Sequence, residues 1–179
     1  MHRSSRARRL LGTLAGMETQ RPRTIAGVVL ALLLCSVGLW LGEAGGPPWA
    51  AVPIVIGVAG CLVVAFSIPG GPARKSLAGV AVLAAYALTF FSGLWSFGHA
   101  FAQCLKEGED VRSTLEEYRR RNGSYPESLA QLHSDVPCGR LSRPTILVYE
   151  KIGTGYDLRF RDWLVEHVAS DTASFMAHK

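Results

Sequence analysis

The sequence predicts a membrane α-helical protein, with three transmembrane helices followed by a small α+β extracytoplasmic domain. The composition indicates the membrane, because 49% of the 179 residues are hydrophobic and only 18% are charged. The distribution of apolar residues along the chain indicates a membrane part and a separate domain, because the apolar runs stop near residue 98 and a mixed polar sequence follows. Average soluble domains carry roughly 25% charged residues, and disordered chains are poor in large apolar residues. The composition therefore disfavours both of those classes.

Three apolar runs are predicted to form the membrane helices, at about residues 24–42, 49–68 and 76–98. Each approaches the ~20 residues that a helix needs to cross a bilayer. Segments rich in Gly and Pro, at 43–48 and 69–72, separate the runs. The interiors of the runs contain no Asp, Glu, Lys, Arg or His, which disfavours a transporter or pump because ion paths and proton relays usually use such groups. In the first run, Gly38 and Gly42 have the spacing that lets helices approach closely.

The positive charges predict the orientation of these helices. Six arginines lie within residues 1–23 and two further cations precede the third run, whereas the loop at 43–48 carries only Glu43. Cytoplasmic segments of membrane proteins are enriched in Lys and Arg. We therefore expect residues 1–23 to be a basic cytoplasmic N-terminus and the residues after 98 to lie outside. The cations that define the topology are Arg3, Arg6, Arg8, Arg9, Arg21, Arg23, Arg74 and Lys75.

Residues 99–170 are predicted to form the extracytoplasmic domain. Apolar residues at helical spacing predict an amphipathic helix that continues the third span, bends near Gly108 and ends at Gly123. The positions that carry this pattern are Leu105, Val111, Leu115 and Tyr118. A short helix is expected at 125–132, and strands at 145–150 and 156–161 are expected to form a hairpin. Residues 162–169 add a third strand or a short helix, and residues 171–179 are predicted to be a flexible tail.

The C-terminal region carries a resemblance to a known family. Tyr118 is followed by Asn122-Gly123, by Tyr125-Pro126 and by Leu129, and Tyr156 lies in the predicted hairpin. This pattern resembles the globular domain of type IV pilins and type II secretion pseudopilins. The resemblance implies a long helix, with the third span as its membrane half, packed on a small antiparallel sheet. No prepilin leader motif precedes this helix, so we expect a pilin-like domain that is kept in the membrane.

The four cysteines divide equally between the membrane runs and the domain. Cys35 and Cys61 lie within apolar runs, where a thiol behaves as a small hydrophobic group. Cys104 and Cys138 lie in the domain and are candidates for a disulfide, with two unpaired thiols as the alternative. Closing that loop would contribute roughly 3–4 kcal/mol, and it requires an oxidising compartment.

The motifs and charges predict a non-enzymatic membrane protein. We find no catalytic motif, metal-ligand spacing or cofactor-binding loop, and we expect no cofactor. Nucleic-acid binding is disfavoured because the clustered cations flank apolar runs. The expected partners are membrane lipid and another envelope protein, and homo-oligomerisation stays open. The leading hypothesis is a bacterial inner-membrane protein whose periplasmic domain mediates protein–protein interaction. The alternatives are a sensory or small-ligand-binding module and an enzyme whose site the sequence does not reveal.

Overall fold

The structure, a computed structural model, describes residues 24–45, 51–132, 136–162 and 164–178. Its helices are α1 (Thr24–Gly42), α2 (Ala51–Ser67) and α3 (Pro72–Asn122), followed by the 3₁₀ helix η1 (Leu129–Leu132). Its strands are β1 (Val148–Ile152), β2 (Gly155–Arg161), β3 (Glu166–Ser170) and β4 (Met176–His178). The predicted topology residues Arg3, Arg6, Arg8, Arg9, Arg21 and Arg23 lie outside the described residues.

Helices α1 and α3 are long and apolar enough to cross a membrane. Their most apolar 18-residue windows have mean hydropathies of 2.4 and 1.9, and only 22% and 11% of these windows are buried within the chain. A core helix of a soluble protein would be mostly covered, so these helices present their apolar side chains outward. Helix α1 has the predicted limits 24–42, and α2 is a shorter apolar helix of 17 residues.

The chain divides into two compact units. The first contains the described residues up to Gly38 together with Ala51–Thr89. In this unit α1 and α2 run antiparallel. Gly27, near the start of α1, lies close to Ile68, just after α2, and Leu34, further along α1, lies close to Gly60, further back in α2. Helices α2 and α3 are also antiparallel: the Tyr86 hydroxyl donates to the Pro53 carbonyl at 2.8 Å, and Gly79 faces Ala65. The second unit contains residues 39–45 and the described residues from Phe90 onward.

Helix α3 joins the predicted third span and the predicted amphipathic helix into one helix of 51 residues. It ends where expected, because Gly123 has a φ of +80° and its N–H donates to the Arg119 carbonyl at 2.7 Å. This is the left-handed C-cap conformation that glycine favours. Gly108, where the sequence suggests a bend, instead makes room for the ring of Phe175, which a Cβ would approach to 2.7 Å.

The four strands form an antiparallel meander in the order β1-β2-β3-β4. The predicted alternation of β2 is confirmed, because Tyr156, Leu158 and Phe160 are buried. Their face packs on α3, which contributes Ala100, Cys104, Val111 and Leu115 to the same core. Leu105 was predicted to lie on this face but is 56% exposed, since Cys104 occupies the inward position of that turn.

Two further predictions about the domain are corrected, and one open alternative is decided. Strand β1 begins at Val148, and the hairpin turn is Gly153-Thr154, with Gly153 at a φ of +57°, instead of the longer loop 151–155. The predicted short helix at 125–132 is reduced to η1, because Tyr125 and Pro126 are buried in an extended segment. Of the two alternatives for residues 162–169, the third strand is confirmed, since Glu166–Ser170 form β3.

The predicted flexible tail at 171–179 is wrong for the residues that the structure describes. Ser170 starts a tight turn, in which its N–H donates to the Ala173 carbonyl at 2.9 Å and its hydroxyl accepts from the N–H of Ala173. The chain then returns as β4 and pairs with β3. Phe175 packs against the core, and its N–H donates to the Glu109 carboxylate at 3.1 Å. The polar Ser-Asp-Thr sequence is therefore a turn between strands.

Candidate functional site

A disulfide ties a loop of the domain to α3. Cys104 and Cys138 are bonded, with their Cα atoms 5.3 Å apart, which confirms the predicted pair. The N–H of Cys138 donates to the Gln103 side chain at 3.2 Å, and the Cys138 carbonyl accepts from the N–H of Ile146 at 3.0 Å. These bonds close residues 138–146 into a compact loop, which we call the 138–146 loop.

Glu43 lies beside this loop, in the turn that ends α1. The N–H of Glu43 donates to the Leu39 carbonyl at 3.0 Å, so the residue continues the last turn of the helix. Gly45 follows with a φ of +82°, and a Cβ there would come within 2.7 Å of the Phe97 ring. Helices α1 and α3 approach closely at this level, since a Cβ on Gly42 would lie 2.9 Å from the Cα of Gly93. Glu43 is fully buried as a result.

The Glu43 carboxylate accepts hydrogen bonds from the 138–146 loop and from α3. The N–H of Leu141 donates to one oxygen at 2.6 Å, and the Ser142 hydroxyl donates to the other at 2.6 Å. The N–H of Ser142 lies 3.0 and 3.1 Å from the two oxygens, and the Ser96 hydroxyl donates at 3.1 Å. We call Glu43, Ser96, Leu141 and Ser142 the Glu43 cluster.

Two arginines of the same loop add contacts to the end of α1. Arg140 donates to the Glu43 carbonyl at 3.1 Å and to the Pro144 carbonyl at 2.7 Å. Burial and the nearby Arg143 lower the pKa of Arg140, and Glu43 opposes them. The guanidinium of Arg143 lies 3.9 Å from the centre of the Trp40 ring, a cation–π geometry. The loop therefore contacts α1 through a carboxylate, a carbonyl and an aromatic ring.

The electrostatics of Glu43 favour the charged form. Burial alone raises the pKa of this carboxyl, but hydrogen bonds from Ser142, Ser96 and Leu141 outweigh burial and hold its pKa below the ordinary value of 4.5. A buried carboxylate of this kind is tolerated only when donors satisfy its lone pairs. Since its oxygens are occupied by these donors, Glu43 is suited to fix the loop and is poorly placed to accept a proton from a substrate.

The predicted signature residues lie at the other end of the domain, and several of them meet. Tyr125 and Tyr156 are buried with their ring centres 4.7 Å apart, and the Tyr149 hydroxyl donates to the Pro126 carbonyl at 2.6 Å. The Tyr125 hydroxyl donates to Glu116 and accepts from Arg119. Burial raises the pKa of both Tyr149 and Tyr156 to about 12. These contacts attach the segment after α3 to the sheet.

The remaining signature residues take separate places. Gly123 caps α3, and Leu129 packs at the margin of the core. Tyr118 is half-buried and lines an open groove of about 640 Å³ between the end of α3 and η1. The groove is lined by Thr114, Glu117, Tyr118, Arg121, Asn122, Gln131 and Leu132. Several of these polar groups bond locally: Arg121 pairs with Glu117, and Asn122 donates to the Tyr118 carbonyl.

The outward face of the sheet presents a row of three apolar residues and one arginine. Val148 pairs with Arg159, Arg159 pairs with Val168, and Val168 pairs with Met176, so the four residues cross the sheet side by side. Val148 is 52% exposed and Met176 is 56% exposed, and the Arg159 guanidinium turns to Glu150 on β1. We call Val148, Arg159, Val168 and Met176 the outer row.

Sequence reasoning missed both the Glu43 cluster and the outer row. In the sequence Glu43 is only a loop charge, because its partner Leu141 lies 98 residues later, beyond the reach of any local pattern. A single acidic residue directly after an apolar helix was the available signal. The outer row depends on the register of four strands, of which only β1 and β2 were predicted as strands without an alternative. In the part of the chain that the structure describes, no three His, Cys, Asp or Glu residues come together as metal ligands.

Comparison of the chain with known protein families, curated proteins and solved structures gives no match.

Proposed function

We propose that this chain is an integral membrane protein of the bacterial inner membrane that presents a small pseudopilin-like domain to the periplasm. In this proposal the domain has no catalytic activity and binds another envelope protein. The outer row carries the proposal, because exposed apolar side chains on an uncovered sheet face are typical of protein contact surfaces. Strand β1 contributes Val148 to this row, and among the described residues it pairs only with β2.

The membrane part of the proposal is supported by the exposed apolar surface of the helices. Ile25, Leu32, Ile54 and Leu88 are each more than 60% exposed, on three different helices. Contact of such side chains with lipid chains is favourable, whereas their exposure to water is unfavourable. Because α2 is antiparallel to both neighbours, a membrane crossed by α1 and α3 is also crossed by α2. Its 17 residues are about 26 Å long, close to the hydrocarbon thickness of ~30 Å.

The orientation is supported by the Glu43 cluster together with the charge pattern. Glu43 follows the first span and Leu141 belongs to the domain, so their contact requires both to lie on the same side of the membrane. In this proposal α1 crosses the membrane once between residues 1–23 and Glu43. The domain and the basic N-terminus then lie on opposite sides of the membrane. The disulfide agrees with this arrangement, because such bonds persist in oxidising compartments such as the periplasm.

The pilin-like character of the domain is supported by its arrangement. A long helix runs from the apolar segment into the domain and packs on a small antiparallel sheet, as the resemblance implies. The Tyr-Pro segment after Gly123 is buried against the sheet through Tyr125 and Pro126. Helices α1 and α2 precede the long helix, so we propose that the domain works while it is anchored and is not extruded.

Photo-crosslinking in cells tests the proposed interaction. A photoreactive phenylalanine analogue at Val148 or Met176 is expected to give a discrete adduct with one envelope protein. The same analogue at Arg120, whose side chain is 78% exposed on α3, serves as the control and is expected to give none. Adding Val168→Asp to the Val148 probe should abolish the adduct. Equal labelling from Arg120, or an adduct that survives Val168→Asp, would contradict an interface at the outer row.

A second candidate function is the binding of a small ligand, which the groove beside Tyr118 favours. Its volume falls within the range of about 300–1,000 Å³ that is usual for ligand pockets. A thermal-shift screen of the full chain in detergent would distinguish the two functions. A ligand whose stabilising effect is lost in Tyr118→Ala, but kept in Val148→Asp, would favour ligand binding at the groove over protein binding at the outer row.

A further inference from the structure

An apolar groove lies between α2 and α3, near the loop that joins them. Its volume is about 470 Å³, and its walls are almost entirely apolar. The lining includes Leu62, Phe66, Val80 and Leu83, together with Lys75 at the first turn of α3. Gly79 closes the floor, since a Cβ there would meet the Ala65 side chain at 3.3 Å. The groove is therefore an apolar slot whose lining includes one cation.

The position of Lys75 distinguishes this groove from ordinary lipid-facing surface. Lys75 is half-buried, and its ammonium lies 5.8 Å from the centre of the Phe66 ring. Because Phe66 also lines the groove, this contact keeps the charge beside the groove, where the stem of Lys75 can cover apolar surface and its ammonium can reach an anionic group. The neighbouring Arg74 is exposed and folds back over the loop, with its Cδ 2.9 Å from where a Cβ on Gly70 would lie. Arg74 does not line the groove.

We infer that the groove binds one anionic phospholipid, with an acyl chain along Val80 and Leu83 and the phosphate at Lys75. The inference rests on the membrane insertion and orientation proposed above, which place the 68–71 loop on the cytoplasmic side. The charge complementarity selects the occupant, because basic pockets between membrane helices on this side bind anionic headgroups. A zwitterionic phospholipid fits the apolar slot but cancels part of the attraction at Lys75.

Native mass spectrometry of the full chain in mild detergent tests this site. The probe is an equimolar mixture of dioleoylphosphatidylglycerol and dioleoylphosphatidylcholine, and the readout is the ratio of the two lipids retained by the protein. We expect the wild type to retain phosphatidylglycerol preferentially. Lys75→Gln should lower this preference about fivefold, which corresponds to the interaction of one lysine with an anionic surface.

Arg74→Gln is the matched control, because it removes the same charge one residue away from the groove. It is expected to keep the wild-type preference. Val80→Trp fills the slot and should lower the retention of both lipids while Lys75 is still present. Equal losses in Lys75→Gln and Arg74→Gln, or equal retention of the two lipids by the wild type, would overturn the inference.

Alkaline extraction of membranes separates this result from the proposed function. A chain that resists extraction but shows no lipid preference contradicts only the lipid site. A chain that is released by alkaline carbonate contradicts the membrane insertion on which both proposals rest.

Discussion

Replacing Glu43 with Gln should weaken the attachment of the 138–146 loop to the end of α1, so that the loop opens more often. The substitution keeps the shape of the side chain and removes its charge. The amide oxygen can still accept from the N–H groups of Leu141 and Ser142, and the amide nitrogen can donate to the Ser142 hydroxyl. The network therefore persists in neutral form, and the change measures how much the charge contributes.

The magnitude follows from the number of short bonds to the carboxylate. The two bonds of 2.6 Å and the bond of 3.0 Å from the N–H of Ser142 each change from charge-assisted to neutral. Charge-assisted bonds contribute about 1.5–3 kcal/mol and neutral ones about 0.5–1.5 kcal/mol, so each loses about 1 kcal/mol. The total of about 3 kcal/mol corresponds to about a 150-fold increase in the open population of the loop.

Amide hydrogen exchange of the full chain in detergent measures this opening. The protection of Leu141 and Ser142 should fall about 150-fold in Glu43→Gln. Glu150→Gln is the control, because it removes the same charge from an ion pair that is exposed on β1, and such pairs contribute about 0–1 kcal/mol. Protection of Leu141 and Ser142 that stays within threefold of wild type in Glu43→Gln would refute the role assigned to the carboxylate.

The same contact should depend on pH. The folded-state pKa of Glu43 lies below its unfolded value of 4.5, so the unfolded or open state binds the proton more tightly. The stabilisation is therefore complete above pH 4.5 and is lost as the pH falls below it. In wild type the protection of Leu141 should decrease on acidification after correction for intrinsic exchange, and in Glu43→Gln this decrease should be absent. An equal decrease in both proteins would assign the effect to another group.

Three further predictions concern the stability of the second unit. The double substitution Cys104→Ser with Cys138→Ser should lower the free energy of unfolding by about 4 kcal/mol, and reductant should have the same effect on wild type but none on the variant. Because burial raises the pKa of Tyr156 to about 12, above the ordinary value of 10.0, its contribution to stability is complete below pH 10 and is lost as the pH rises toward 12. Thermal melts in this range should therefore fall less steeply in Tyr156→Phe than in wild type. Gly93→Ala should destabilise by about 1–3 kcal/mol in denaturant melts, because its Cβ would come within 2.9 Å of the Glu43 nitrogen. Gly98→Ala, with open space around it, should be neutral or stabilising by up to about 1 kcal/mol.

The elements that the sequence predicted correctly are those with a local signal. The limits of α1 follow from an unbroken apolar run, and the end of α3 follows from Gly123. The burial of Tyr156, Leu158 and Phe160 follows from strict alternation along one strand. The pairing of Cys104 with Cys138 followed from counting, because these are the two cysteines outside the apolar runs.

The features that the sequence did not predict depend on contacts between distant residues. Strand β4 has only three residues, and its ordering depends on the turn at Ser170 and on Phe175 entering the space left by Gly108. The Glu43 cluster depends on a fold that brings residues 98 positions apart into contact. Neither feature has a period or a motif, so local reasoning about the chain assigns a tail to the first and a loop charge to the second.

The separation between Glu43 and Leu141 has a consequence for biosynthesis. Ribosomes add roughly 5–20 residues per second, so about 5–20 s pass between the synthesis of these two residues. During this interval α1 is complete, but the carboxylate of Glu43 at its end lacks the N–H groups that later surround it. In the proposed orientation, the 138–146 loop must also cross the membrane before it can reach Glu43. The Glu43 cluster therefore closes late, and it joins the end of the first described helix to a segment that is synthesised 98 residues later.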